Sequence, residues 1–227
     1  MTRNEYNEIE SYMRSQMQDS AHDRYHVYRV LNAALDIASH IEKTDTDVLI
    51  AACLLHDIGR DEQSSDLKLC HAVIGGKKAY GFLVSLKWPE EKALHVKECI
   101  STHRFRKGKA PQSIEAQILF DADKLEASGA IGIARTLIYS GQVGEPLYIL
   151  GENGKIITRD GGAEISSFFQ EYNYKLKNVY KAFYTERAKE IAVKRRKAAI
   201  RFYKRLYAEV TENYDNGVRL REELLSE

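Results

Sequence analysis

An adjacent histidine and aspartate, His56 and Asp57, stand directly after an apolar run from Val48 to Leu55. An ionisable pair at the end of a buried helix is unfavourable to desolvate unless hydrogen bonds or a bound cation compensate it. Imidazole nitrogens and carboxylate oxygens are also ligands of divalent metals. For this pair alone, a hydrogen-bonded core network is the commoner arrangement, so a metal site needs support from other residues.

Further histidines and acidic residues adjoin apolar segments elsewhere in the chain: His26, His71, His103, Asp121 and Asp123. A single histidine in such a place is usually a core or boundary residue, and Asp121 can serve as a helix N-cap. Polar residues that directly follow an apolar run nevertheless lie where the floor of a site would be. The set as a whole therefore favours a functional site more than any member does.

The elements that must position these residues are predicted to be helices. Only three prolines and 14 glycines interrupt 227 residues, which is typical of long helices. Gly59 is predicted to end the helix before it in a left-handed conformation. Six of the glycines fall within 141–162, where Asn153-Gly154 indicates a hairpin turn. We predict an all-α helical bundle with a small β-hairpin or loop insertion near 145–160.

Composition excludes several classes of protein. The 34 basic and 33 acidic side chains give a net charge of +1, which argues against nucleic-acid binding by bulk charge. The segment 187–205 holds nine Lys or Arg and one acid. It could be a phosphate- or RNA-binding strip, but its apolar residues repeat with a period of 3.6, which favours the solvated face of an amphipathic helix. Three cysteines without a C-x-x-C pair, a polar N-terminus and the short apolar runs predict a cytoplasmic protein without a membrane span.

Three longer motifs carry a resemblance to a known family. They are HDRYHVYRV around His26, LLHDIGR around His56 and DADKLEASGAIGIART from Asp121. Together they resemble the HD-domain superfamily of metal-dependent phosphohydrolases, and in particular a bacterial branch of about this length. The resemblance covers roughly residues 20–210, and implies a single all-α HD-type domain over 1–227.

The resemblance implies that His26, His56, Asp57 and Asp121 bind a metal. His22, one turn before His26, is then expected to face the substrate. Two imidazoles and two carboxylates suit six-coordinate Mn, Fe, Mg, Co or Ni better than tetrahedral zinc.

One metal per chain is expected, because a second ion would have only His71, His103 and a shared Asp57 as ligands. Those two histidines are then expected to bind substrate phosphate. Asp57 and Asp123 are both candidates for the base that accepts a proton from water.

Cations that could bind phosphate are Lys124, Arg29 and Arg60, although each arginine could equally form a structural salt bridge. The expected function is hydrolysis of a nucleotide or a related phosphoester or phosphoanhydride, with pyrophosphohydrolysis of nucleoside triphosphates favoured. A 5'-nucleotidase that releases phosphate is the alternative, and a non-catalytic nucleotide-binding regulatory module is an alternative of another class. The expected partner is a small phosphate-bearing molecule, neither membrane nor sequence-specific nucleic acid, and a homodimer is left open.

Overall fold

The computed structural model of the protein describes residues 1–17, 24–104, 110–159 and 166–226. His22 lies outside these ranges. The described residues form ten α-helices and one 3₁₀ helix: α1 Arg3–Gln16, α2 Arg24–Ala38, α3 Thr46–Leu55, α4 Arg60–Ser65, α5 His71–Ser85, α6 Glu90–Thr102, α7 Ile114–Leu125, α8 Gly129–Gln142, α9 Phe168–Tyr174, the 3₁₀ helix Leu176–Lys181 and α10 Glu186–Leu225. The predicted all-α fold class is confirmed.

The predicted hairpin is reduced to a single antiparallel bridge, between Leu150 and Ile156. Beside this bridge the amide of Ile157 donates to the carbonyl of Ile149 over 2.8 Å. Gly154 takes a positive φ of 71°, as the Asn-Gly turn signal requires. The chain therefore reverses where predicted, without building strands on either side in the described residues.

The contacts group the chain into two compact units, one of residues 1–126 and 183–190 and the other of 127–182 and 191–227. The sequence predicted one domain over 1–227 with a core of about 20–210. Neither the boundary after residue 126 nor the return of the chain at 183–190 was anticipated. That the whole chain behaves as one domain stays a prediction.

In the first unit, α3 is the central helix and packs against α1, α2, α6 and α7. Asp45 caps its first turn by accepting hydrogen bonds from the amides of Asp47 and Val48. Most of its side chains are buried: Val48, Leu49, Ala51, Ala52, Cys53, Leu54 and Leu55. Since the helix ends at Leu55, it delivers His56 and Asp57 into the interior of the unit.

A close approach at Gly59 brings the start of α5 to the end of α3. A Cβ atom at Gly59 would lie 2.7 Å from the backbone nitrogen of Gly75 and would also overlap the carbonyl of His71. The φ of Gly59 is −99°, so the predicted left-handed conformation is wrong. Glycine is required here for space, and this space lets His71 reach the HD pair.

In the second unit, the core is built from α8, α9, the 3₁₀ helix and residues 191–225 of α10. Its buried members are Ile133, Ile156, Phe168, Phe169, Tyr172, Leu176 and Ala199. Further apolar side chains of α10 pack on them: Tyr203, Leu206, Tyr207 and Val210. Among the described residues, no helix combines the length and the apolar character needed to cross a membrane.

Candidate metal centre

Four buried histidines from four helices converge on the carboxylate of Asp57. His26 lies in α2, His56 caps α3, His71 begins α5, and His103 caps α6. Oδ2 of Asp57 lies 3.6 Å from Nε2 of both His26 and His56. Oδ1 lies 3.4 Å from Nε2 of His71 and 3.8 Å from Nε2 of His103. The first unit thus brings together residues that stand far apart in the sequence.

Backbone carbonyls fix the orientation of two of these rings. Nδ1 of His56 donates to the carbonyl of Cys53 over 2.8 Å, and Nδ1 of His103 donates to that of Ile100 over 2.6 Å. Since a carbonyl oxygen can only accept, Nδ1 carries the proton, and in the neutral ring Nε2 carries the lone pair. A carbonyl that holds Nδ1–H in this way is the usual support of a metal-binding histidine.

A carboxylate, Glu126, supports the third ring. Oε2 of Glu126 lies 3.3 Å from Nδ1 of His26 and accepts a hydrogen bond of 2.8 Å from Nε of Arg29. Nε2 of His26 lies 3.3 Å from Oδ1 of Asp123. Burial alone lowers the pKa of His26, but the carboxylates of Asp123 and Glu126 raise it to about 9. Glu126 was missed by the sequence analysis, although its spacing of three residues from Asp123 places it near the same helix face.

Asp57 provides the test of whether this cluster fits a metal. Its side chain is 0% exposed, and neither of its oxygens has a hydrogen-bond partner among the described residues. Burial raises the pKa of Asp57, but the charges of His56, Arg60, His103 and His26 hold it well below its usual range. Arg60 forms an ion pair with Oδ1, whereas Oδ2 has only imidazoles beside it among the described residues. A buried, ionised carboxylate with such an oxygen is one that a further cation compensates.

The spacing of the imidazoles also fits a cation. Nε2 of His26 and Nε2 of His56 are 3.4 Å apart, and the corresponding atoms of His71 and His103 are 3.3 Å apart. Two rings that both present a lone pair at Nε2 cannot hydrogen-bond to each other, and in the metal-free protein the proton that a pKa of about 9 leaves on His26 relieves the first pair. A positive charge between or beside them removes the conflict.

The candidate ligands form two sets, and the ligand atoms of each set lie within 4.8 Å of one another. The first set is His26, His56 and Asp123; the second is Asp57, His71 and His103. Asp123 is 23% exposed, so the first set reaches solvent. Asp57 belongs to the second set, but its Oδ2 faces His26 and His56 of the first set.

The second set already faces a cation. Nε of Arg60 lies 3.0 Å from Oδ1 of Asp57. Burial lowers the pKa of His71 to about 2 and that of His103 to about 4, so both rings are neutral near pH 7. Nη1 of Arg104 lies 3.2 Å from Nδ1 of His71, and this arginine was also missed by the sequence analysis.

The structure corrects the expected role of Asp121, which it does not bring to the histidines. Instead Asp121 accepts hydrogen bonds from the amide of Tyr184 at 2.9 Å, and from the amide and the hydroxyl of Thr185, both at 2.7 Å. Asp121 and Asp123 are two residues apart on α7, so their side chains point about 200° apart and only one can face the cluster. Asp123 occupies the place expected for Asp121.

Two of the expected phosphate-binding cations, Lys124 and Arg29, contact other residues. Nζ of Lys124 lies 5.2 Å from the ring centre of Phe120 and 5.4 Å from that of Phe183. Burial lowers the pKa of Lys124, while the charge of Asp121 opposes this shift. Lys124 therefore lies against Phe120 and Phe183, on the same side of α7 as Asp121. Arg29 contacts Glu126. Of the expected phosphate-binding residues, the structure brings Arg60, His71 and His103 to the cluster.

Comparisons with known proteins identify the family. The family model described as the HD domain matches residues 24–128. YpgQ of Bacillus subtilis (strain 168) is 30% identical over 210 residues, which are 89% of this chain and 92% of YpgQ. The crystal structure of YpgQ in complex with ADP has a TM-score of 0.69 and 27% identity, and the match covers 90% of this chain and 97% of that one. The crystal structure of an HD-superfamily hydrolase from Bacillus thuringiensis has a TM-score of 0.69 and 28% identity, covering 91% and 96% of the two chains.

Proposed function

Because the chain belongs to the HD-domain family, we propose that it is a metal-dependent phosphohydrolase that acts on nucleotides. The observation that carries the proposal is the Asp57 carboxylate, which is buried and lacks a hydrogen-bond partner among the described residues. Four imidazole nitrogens surround it at 3.4 to 3.8 Å. This environment fits a metal-ligand role for Asp57 better than a structural role in the core, because structural buried carboxylates are hydrogen-bonded.

The proposed ligands are His26, His56, Asp57 and Asp123. This mixed nitrogen and oxygen set suits Mn, Fe, Mg, Co or Ni. The metal, when bound, would lower the pKa of a coordinated water and offset negative charge on the phosphoryl group. We propose one ion per chain, because the guanidinium of Arg60 lies against the oxygen of Asp57 that faces His71 and His103.

On the other side of Asp57, we propose that His71, His103 and Arg60 bind the substrate phosphate. The guanidinium supplies charge with a planar fork of donors, and the negative charge of a bound phosphate would raise the pKa of both imidazoles, so that a protonated Nε2 of each could donate to it. Arg60 is 26% exposed, so it can meet a ligand that enters from solvent. Asp123 is the better candidate for the proton acceptor, because it reaches solvent whereas Asp57 is fully buried.

The proposed reaction is hydrolysis of a nucleoside triphosphate to a monophosphate and pyrophosphate. Support for a nucleotide comes from YpgQ, whose crystal structure is described in complex with ADP. Three phosphates carry more negative charge than one, which matches a site flanked by both Arg60 and Arg104. A 5'-nucleotidase would use the same ligands and release inorganic phosphate.

A screen of nucleoside mono-, di- and triphosphates with Mn²⁺ tests the proposal if phosphate and pyrophosphate are measured separately. EDTA should abolish activity, and Mn²⁺, Co²⁺ or Ni²⁺ should restore it more strongly than Ca²⁺. Asp57→Asn should be inactive, whereas Asp215→Asn, which changes an exposed aspartate on α10, should match the wild type. Full activity after EDTA treatment, or in Asp57→Asn, would exclude this mechanism.

A further inference from the structure

A second pocket lies wholly within the second unit, between α9, the 3₁₀ helix and α10. It encloses about 260 Å³ and is lined by three tyrosines, Tyr172, Tyr180 and Tyr203. The rings of Tyr172 and Tyr203 are stacked, with centroids 4.2 Å apart and planes inclined by 24°. The pocket therefore has an aromatic floor.

This floor is fixed by hydrogen bonds. The amide of Asn173 donates to the hydroxyl of Tyr203 and to the carbonyl of Phe169, both over 2.9 Å. The hydroxyl of Tyr180 accepts a hydrogen bond of 2.9 Å from the amide of Gly129. Both tyrosine hydroxyls keep their own hydrogen for another acceptor. A pre-positioned ring with an available donor is suited to ligand binding, because little ordering remains to be done.

The rim of the pocket is basic. Three exposed side chains line it: Lys177, Arg196 and Lys204. No acidic side chain is among the lining residues. None of the three forms an ion pair within the described residues. Elsewhere on α10, by contrast, basic residues do pair with acids, Lys189 with Glu186 and Arg205 with Glu209. The basic charge at the pocket is therefore not compensated by an acidic side chain among the described residues.

We infer that this pocket is a second ligand site, for a nucleoside monophosphate or a similar aromatic phosphate. The base would lie against the tyrosines, and the phosphate would be bound by the basic rim. The volume is just below the usual range for small-molecule sites, so it holds one ring and not a run of stacked bases. The inference does not depend on the metal centre, since every residue that it uses lies in the second unit.

Equilibrium binding of AMP to the metal-loaded protein tests the inference. We expect Arg196→Glu/Lys204→Glu to weaken one class of AMP site by at least about tenfold, because two charge-assisted contacts are reversed. The matched control is Lys194→Glu/Arg201→Glu. It makes the same change of charge with exposed residues that lie, on average, roughly 110° away around α10 and outside the pocket lining, and should bind AMP as the wild type does. Adenosine and inorganic phosphate should each bind more weakly than AMP.

The Asp57→Asn variant separates this site from the metal centre, because it should keep the AMP site of the second unit. Loss of all AMP binding in that variant would overturn the inference, as would equal weakening in the two charge-reversal variants. If an oligoadenylate binds at least about tenfold tighter than AMP, the ligand of this site is single-stranded nucleic acid and the inference of a mononucleotide is wrong. If sedimentation shows that Arg196→Glu/Lys204→Glu breaks a homodimer without changing AMP binding, the pocket is an interface and the inference is wrong.

Discussion

The Asp57 carboxylate depends on charge and not on hydrogen bonds. Around it stand imidazole nitrogens and one guanidinium, and each distance fits electrostatic compensation. Removal of a charge from such a cluster leaves the remaining buried groups unpaired, which is more damaging than the loss of an exposed ion pair. Substitutions here are therefore expected to change metal binding before they change packing.

The two aspartates of α7 should behave differently. We expect Asp123→Ala to reduce metal affinity at least about tenfold while the fold is kept, since the residue is one-quarter exposed and faces His26. Asp121→Ala should keep its metal but lose about 3 kcal/mol or more, because it leaves the buried donors of Tyr184 and Thr185 without an acceptor. Metal analysis by mass spectrometry and urea unfolding measure the two effects. Metal loss in Asp121→Ala with retention in Asp123→Ala would reverse the assignment.

The raised pKa of His26 predicts how the metal-free protein responds to pH. Protonated His26 stabilises that state fully below its ordinary pKa of 6.5, and the contribution is lost as pH rises through its folded pKa of about 9. The urea concentration at the unfolding midpoint of the metal-free protein should therefore decrease as the pH is raised from 6.5 to 9. Metal affinity should rise over the same interval, because the ion requires the neutral ring.

His26→Gln should remove this pH dependence, and His40→Gln, at an exposed histidine, should keep it. Urea midpoints that stay constant in the metal-free wild type would show that His26 does not carry the proton.

At the scale of elements, the junction of α3 with α5 makes a prediction. Gly59→Ala should destabilise the protein by about 1–3 kcal/mol, because the added methyl would overlap the backbone of α5. It should also lower hydrolytic activity, since His71 begins that helix. Gly81→Ala is the control on α5 itself: no atom lies within 4 Å of its Cβ position, so it should stabilise by about 0.4–1 kcal/mol. Chemical unfolding of both variants measures the contrast, and equal effects would argue against a close approach at Gly59.

Local pattern predicted the elements well and their tertiary partners poorly. The apolar run before His56 correctly indicated a central helix, because an all-round apolar helix can only be buried. The choice between Asp121 and Asp123 depends on Thr185, 64 residues further along the chain. No period or motif near α7 reports that contact. Gly59 was likewise recognised as special for the wrong reason, since the backbone that needs its space belongs to another helix.

At the scale of the whole molecule, metal removal should lower stability as well as activity. An ion present at about 100 times its dissociation constant adds about 2.7 kcal/mol to the free energy of unfolding. We expect melting to occur at lower temperature in EDTA, with recovery on addition of Mn²⁺. Calorimetry with and without the ion measures this, and identical melting curves would show that no ion binds the folded state preferentially.

The number of ions is a separate prediction. Purified protein should hold one equivalent of metal per chain, and His71→Ala should retain it. Elemental analysis that finds two equivalents, falling to one in His71→Ala, would assign a metal and not a phosphate to the second set of ligands.

The return of the chain at residues 183–190 has a consequence for biosynthesis. Asp121 leaves the ribosome 64 residues before Thr185. At 5–20 residues per second, the wait lasts roughly 3 to 13 s. During this time the nascent chain holds α7 without the donors that later cover Asp121. A chaperone that recognises exposed helix faces would have this interval in which to bind, and a ribosome stalled before Thr185 would display an HD segment complete in its histidines but still lacking the donors that cover Asp121.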